Sequence, residues 1–392
     1  MTAAPERTET STSDVVRRRV RAALVPLLAL VAAMVLGGLV MILTDPDVLP
    51  YWAAFFNNPG NALSVSWNAV SDAYIALFDG AFGSVNAISE TIVNATPLIF
   101  AGLGFALAYR AGLFNIGGEG QILAGATLAT YIGFTFDGLP AVVHLPLALI
   151  AGIVGGAIWG FIPGFLKART GAHEVITTIM LNYIAVGGLL YLLKTETFLR
   201  TGRADPISKS ISEAAELPTF GDLRVHAGIV LALVTAYVVW WLLFRSTLGF
   251  EFRSVGANPS AASYAGMSVA GTYIAVMMIS GALAGLAGTS YVLGVRHYMS
   301  PGFLNYGFDA IALAILGRNH PAGVVAAAIL FGALRAGGLS MQAATSTPID
   351  IILVIQALII VFMAAPALVR AIFRIRAERV AQPDSMVKSW GS

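Results

Sequence analysis

The sequence predicts an all-α polytopic membrane protein, and three observations carry that prediction. Hydrophobic residues make up 57% of the 392 and charged residues only 11%, with a mean hydropathy of +0.79, whereas soluble domains average about 25% charged. Apolar runs of bilayer length recur along the chain, and each reads as a spanning helix. Two of the runs are short or broken by glycines and polar side chains, as where a pathway is built into a membrane.

The elements follow in order. Residues 1–21 are a polar tail ending in Arg17, Arg18, Arg19 and Arg21, and an apolar run begins at Ala22 and ends near Leu43. That run is longer than the core of a signal peptide, so it reads as an uncleaved first span with its N-terminus in the cytoplasm. Residues 44–90 form an external region in which Trp67, Val70, Tyr74, Ile75 and Phe78 fall at helical spacing, the pattern of an amphipathic helix on the outer membrane face. Spans are expected at 91–109, 119–135, 144–166 and 175–193, and then, after an external loop at 194–225, at 226–244. A cytoplasmic loop at 245–268 leads to spans at 269–294, 307–317, 320–338 and 349–370, and 371–392 is a cytoplasmic tail. This alternation puts Arg110, Lys167, Arg169, Arg245, Arg253, Arg318 and the Arg370–Arg379 cluster inside, as the distribution of basic residues requires. The near-neutral loop at 194–225 is the exception. Residues 22–370 thus form one transmembrane domain of a plasma-membrane protein with both termini cytoplasmic.

Composition also excludes. The net charge of +2 is spread by side of the membrane and not gathered in a patch, so nucleic-acid binding has no support. The chain has no cysteine, hence no disulfide, thiolate metal site or thiol nucleophile. No Gly-Lys pair and no Gly-x-Ser-x-Gly occur, so neither a P-loop nor a serine-hydrolase elbow is present. His173-Glu174 begins like a zinc-protease motif, but Thr177 stands where the second histidine belongs. Glu174 reads instead as a first-turn acid at a helix N-terminus, with a part in assembly or gating. No catalytic residue, metal site or cofactor is expected.

The polar breaks concentrate the chemistry. Phe114, Asn115, Glu119 and Gln121 lie among Gly112, Gly117, Gly118 and Gly120, between two spans. A carboxylate at membrane depth costs roughly 2.5 to 3.5 kcal/mol and normally faces a polar cavity. The pattern Asn115-x-Gly117-x-Glu119 returns as Asn305-x-Gly307-x-Asp309, each after a phenylalanine, Phe114 or Phe303. Paired breaks in two halves point to a midplane site; the alternative is two ordinary helix starts, each with an Asn cap and a first-turn acid. Asn182 and Tyr183 on the span at 175–193 read either as pathway lining or as interhelical hydrogen bonding. Phe114, Phe303 and Tyr306 read either as packing or as stacking partners for a flat base. In the cytoplasmic loop, Asn258 and Pro259 open a short helix that Gly266 ends. Its Ala261, Ala262 and Ala265 offer a small-residue face to another protein, or else the segment is a connecting turn.

These residues carry a resemblance. Arg110 to Gln121, the Gly256-x-Asn258-x-x-Ala261-Ala262-x-x-x-Gly266 loop, and Ser300-Pro301-Gly302 followed by Ala312-x-x-x-x-Gly317-Arg318-x-x-Pro321-x-Gly323 resemble permeases of bacterial ABC importers for branched-chain amino acids, ribose-type sugars and nucleosides. Asn94-Ala-Thr-Pro97-Leu and Glu174 through Asn182-Tyr183 are similar to the nucleoside branch, and to the larger of its two permeases. The resemblance implies a second permease subunit, ATP-binding cassette ATPase subunits supplying the energy, and an external substrate-binding lipoprotein. It also implies that Gly256, Asn258, Ala261, Ala262 and Gly266 belong to a coupling helix seated in the ATPase. An ion-coupled transporter using Glu119 or Asp309 is the alternative, and an intramembrane hydrolase a distant third.

Overall fold

Each apolar run forms a helix, with boundaries set by caps and side-chain pairs. The computed structural model describes residues 12–136, 138–302, 306–345 and 347–374. In order the helices are α1 (Thr12–Thr44), α2 (Leu49–Ala53), α3 (Pro59–Phe82), α4 (Val85–Arg110), α5 (Gly118–Thr135), α6 (Ala141–Thr170), α7 (Glu174–Leu192), α8 (Gly228–Arg245), α9 (Thr247–Ala257), α10 (Pro259–Tyr264), α11 (Val269–Tyr291), α12 (Tyr306–Leu316), α13 (Pro321–Thr345), α14 (Asp350–Ala364) and α15 (Pro366–Ile372). Among the described residues there is no strand beyond two isolated bridges, and 7 helices are long and apolar enough to cross a membrane. The short apolar helices α12 and α14 add to these. The protein is an all-α, multi-pass membrane protein.

Several boundaries differ from the apolar runs, and the run expected as one span at 349–370 is divided into α14 and α15. α1 starts at Thr12, inside the expected polar tail. α4 starts at Val85, six residues before its apolar run, because Ser84 Oγ accepts from Ala87 N (3.0 Å). Its Glu90 is matched by a two-pronged pair to Arg224 (3.0 Å). α13 runs on to Thr345, and its Gly337 and Ser340 lie against α3.

α4 is the central element: Leu98 to Ala108 are buried on every side, as expected of a helix apolar all round. α5, α11, α12 and α13 pack around it. α6 crosses α11 where Gly152, Gly156 and Gly160 meet Gly281 and Gly285, and a Cβ on Gly156 or Gly281 would collide with the other's carbonyl oxygen. In lipid, where apolar burial does not drive helix association, such close backbone approach is a main source of packing energy.

The external region differs from its predicted single apolar face. α3 turns Ala73, Leu77 and Ala81 inward. Tyr74 Oη donates to the Met34 carbonyl on α1, while Trp67, Ile75 and Phe78 stay exposed. Small residues fit the tight contact with α13, and the large ones are left outside. The loop at 194–225 straps onto the end of α11. There Val292–Arg296 form a π-turn and His297 adopts φ 60°. Ser208 N, Ile211 N and Leu217 N donate to the carbonyls of Met299, His297 and Leu293 (2.8–2.9 Å).

Candidate functional site

The chain leaves helical geometry between α4 and α5, and the side chains of Asn115 and Asn182 take open backbone groups there, with Gln121 bracing Asn115. Asn115 Oδ1 accepts from Gly117 N (3.0 Å), and its amide is doubly paired with the Gln121 amide (2.9 and 3.2 Å). Asn115 Nδ2 also donates to Ser280 Oγ (2.8 Å), which donates on to the Gly104 carbonyl (2.8 Å). Asn182 on α7 accepts from Gly120 N (2.8 Å) and donates to the Ile116 carbonyl (3.0 Å). Such bonds are what allow non-helical backbone at membrane depth. Of the two readings of Asn182, its bonds are interhelical.

The two breaks meet. Gly118 faces Gly307, and Gly307 N donates to Glu119 Oε2 (2.9 Å). A Cβ on Gly307 would lie 2.8 Å from the Glu119 Cα. Two residues on from Gly307, Asp309 pairs with Arg335 of α13, whose guanidinium lies 4.2 Å from the Tyr306 ring centre. Tyr291 meets the Tyr306 ring edge-on at 6.2 Å. The Asp309 and Arg335 side chains are 22% and 23% exposed, so the pair borders open space. Among the described residues, no group of three His, Cys, Asp or Glu side chains gathers that would hold a metal ion.

The other candidate residues lie apart from this junction. Phe114 packs edge-on against Phe105 (5.1 Å) and Tyr109 (6.4 Å). Tyr183 is 73% exposed on the outer side of α7. Phe303 and Asn305 fall outside the described residues. Arg335 is the residue that sequence reasoning missed. An arginine 14 residues into a 25-residue apolar helix is itself the signal of a functional intramembrane charge.

At the opposite end of the break, Arg110 Nε donates to the Asn319 carbonyl (2.9 Å), and Gly112 backs onto Gly256. The 245–268 loop holds two helices, α9 and α10. Asn258 Oδ1 accepts from Ala261 N (3.1 Å), Pro259 opens the helix, and Gly266 (φ +83°) follows its end. One expectation is corrected. Ala262, expected on the outward small-residue face, is 4% exposed and packs inside the chain, while Tyr264 is 98% exposed. In this six-residue helix capped at Asn258, Ala262 alone is buried, and Pro259, Ser260, Ala261, Ser263 and Tyr264 are exposed. Gly256 likewise packs against Gly112.

A family model described as the branched-chain amino acid transport system / permease component matches residues 87–364. The chain belongs to this permease family. It is 42% identical to the guanosine ABC transporter permease protein NupP of Bacillus subtilis over 361 residues, covering 90% of this chain and 96% of that protein. It is 37% identical to the nucleoside ABC transporter permease protein NupB of Lactococcus lactis subsp. cremoris, with coverage of 88% and 92%. To the glucose ABC transporter permease protein TsgB13 of Haloferax volcanii it is 35% identical, with 86% of each chain covered. No solved structure matches the chain. These relatives are transport permeases, not enzymes.

Proposed function

We propose that this permease is a membrane-spanning subunit of an ATP-binding cassette importer and forms the pathway for nucleosides. The observation that carries the reading is the contact of the two breaks, in which Glu119, Gly307, Asp309 and Arg335 gather charge inside an apolar bundle where only a polar route warrants it. Asn115, Gln121 and Asn182 hold the shape of the first break, and Glu119 and Asp309 face the route. The guanosine and nucleoside permeases that the chain resembles over nearly its whole length name the cargo.

The working assembly pairs this chain with a second permease, as NupP has a second guanosine permease protein, NupQ, in the same Bacillus strain. Two ATPase subunits supply the energy, since no P-loop is encoded here, and an external binding lipoprotein delivers the cargo. The exposed Tyr264 side of α10 is the contact with the ATPase. ATPase closure moves α10 and, through the Gly256–Gly112 contact, the end of α4, so the junction opens alternately to each side. Both termini lie in the cytoplasm of a bacterial plasma membrane.

The test is uptake by the complete importer reconstituted with its ATPases and binding protein. Guanosine uptake should persist when the membrane potential is collapsed and stop when ATP is withheld. Uptake that follows the potential and ignores ATP would replace this reading with an ion-coupled carrier. The likeness to a glucose permease supports a second cargo, decided by whether excess glucose competes with guanosine.

A further inference from the structure

We infer that Glu119, Asp309 and Arg335 form a binding station for vicinal hydroxyl groups, so that the permease itself grips the sugar ring of its cargo. This rests on the permease reading above and adds a recognition step to it.

Stability alone does not account for these charges. An enclosed ion pair replaced by apolar side chains of similar volume is often neutral or better for the fold, and Asp309 and Arg335 join two helices, α12 and α13, that already pack together. Their unused valences point outward. Asp309 commits Oδ2 to Arg335, and Glu119 commits Oε2 to Gly307 N. Among the described residues no bond takes Asp309 Oδ1, Glu119 Oε1 or Arg335 Nη1 and Nε, and none of these is a buried unpaired atom. They therefore border accessible space: two acceptors beside a guanidinium with donors to spare.

A vicinal diol fits such a set, because each hydroxyl both donates and accepts. One hydroxyl donates to a carboxylate oxygen while accepting from the guanidinium, and its neighbour repeats the pattern on the second carboxylate. A flat base would instead need a free aromatic face. Among the described residues, Arg335 lies over the Tyr306 ring, Tyr291 meets that ring in a T-shaped contact and Phe114 is packed on Phe105 and Tyr109, while Phe308 beside Asp309 is 61% exposed. The free valences of Glu119, Asp309 and Arg335 are thus equipped for hydroxyls.

The experiment uses the complete reconstituted importer with saturating binding protein, and compares ATP-dependent uptake of guanosine and 2′-deoxyguanosine. The binding protein's own preference is the same for every variant, so it cancels in the ratio of variant to wild type. Asp309→Asn should lower guanosine uptake at least tenfold and 2′-deoxyguanosine uptake less than threefold, whereas Asp309→Glu keeps most of both. The swapped pair Asp309→Arg/Arg335→Asp keeps an ion pair but moves the acceptor; it should assemble and still lose the preference for guanosine. Equal losses for both cargoes in Asp309→Asn would overturn the inference. So would wild-type uptake and preference in the swap, or in Asp309→Leu/Arg335→Met, since either would show the pair to be structural only. Failure of wild-type importer to take up guanosine with ATP would instead sink the permease reading, a separate outcome.

Discussion

The lock on the first break makes a quantitative prediction. Asn115 and Gln121 are 4% and 1% exposed, and Asn115→Leu strips both atoms of the Gln121 amide and the Gly117 N–H of their partner. At about 1 kcal/mol per buried unpaired group, the low end of the usual range, the loss is about 3 kcal/mol. Gln121→Met is milder, about 1 kcal/mol, because Asn115 keeps Gly117 and Ser280. In the double variant only Gly117 N–H is orphaned, so its cost is about 1 kcal/mol, short of the summed singles by about 3 kcal/mol. A membrane hydrogen bond of average worth, about 0.6 kcal/mol, would give a shortfall of only about 1.2 kcal/mol for the two bonds. The assay is SDS titration of the purified chain in mixed micelles, followed by fluorescence of its 6 tryptophans. A shortfall below about 0.5 kcal/mol would refute the claim that this pair closes the break.

Further expectations are open to simpler measurement. Gly307→Ala puts a methyl group 2.8 Å from the Glu119 Cα, so it should insert normally yet lose at least about tenfold of uptake, the scale set by roughly 1.4 kcal/mol of strain; wild-type uptake would mean that the helices separate at no cost. Asn258→Ala removes the cap of α10, worth about 1 kcal/mol, and should weaken co-purification of the ATPase, with Asn258→Ser restoring it. Tyr264→Ala should lower uptake per ATP hydrolysed without changing the melting temperature, and unchanged coupling would move the ATPase contact elsewhere. A C-terminal reporter active only outside the cytoplasm should stay silent, and a signal from it would break the even-span topology.

The sequence made the spans legible because lipid leaves a long apolar run one stable backbone. It also exposed the two breaks, since glycines beside Asn115, Glu119 and Asp309 are conspicuous in such company. What it concealed was contact. Gly118 and Gly307 are far apart in the chain, as are Gly156 and Gly281, and no local pattern announces that their backbones touch. Arg335, which the spacing of the spans passes over, belongs with these: its partner Asp309 lies 26 residues away on another helix, and no local pattern joins the two. Alanine spacing around Ala262 fixed neither the length of α10 nor the side on which it packs, and that side decides which residues remain for a partner.

On the proposed reading the two polar breaks do different work, and the difference follows from how each is satisfied. At the first, Asn115, Gln121 and Asn182 are uncharged amides whose donors and acceptors go to neighbouring backbone, to Ser280 and to one another. Such a network fixes shape and has little left for a passing solute. At the second, charged groups keep valences open toward accessible space. The two are joined through Glu119, which starts on the rigid α5 and reaches the backbone of the short α12 at Gly307. Displacement of α12 therefore breaks a partly buried carboxyl–amide hydrogen bond, worth about 0.5 to 1.5 kcal/mol. That is enough to bias the junction toward one arrangement, and small enough for the proposed ATPase stroke to overcome.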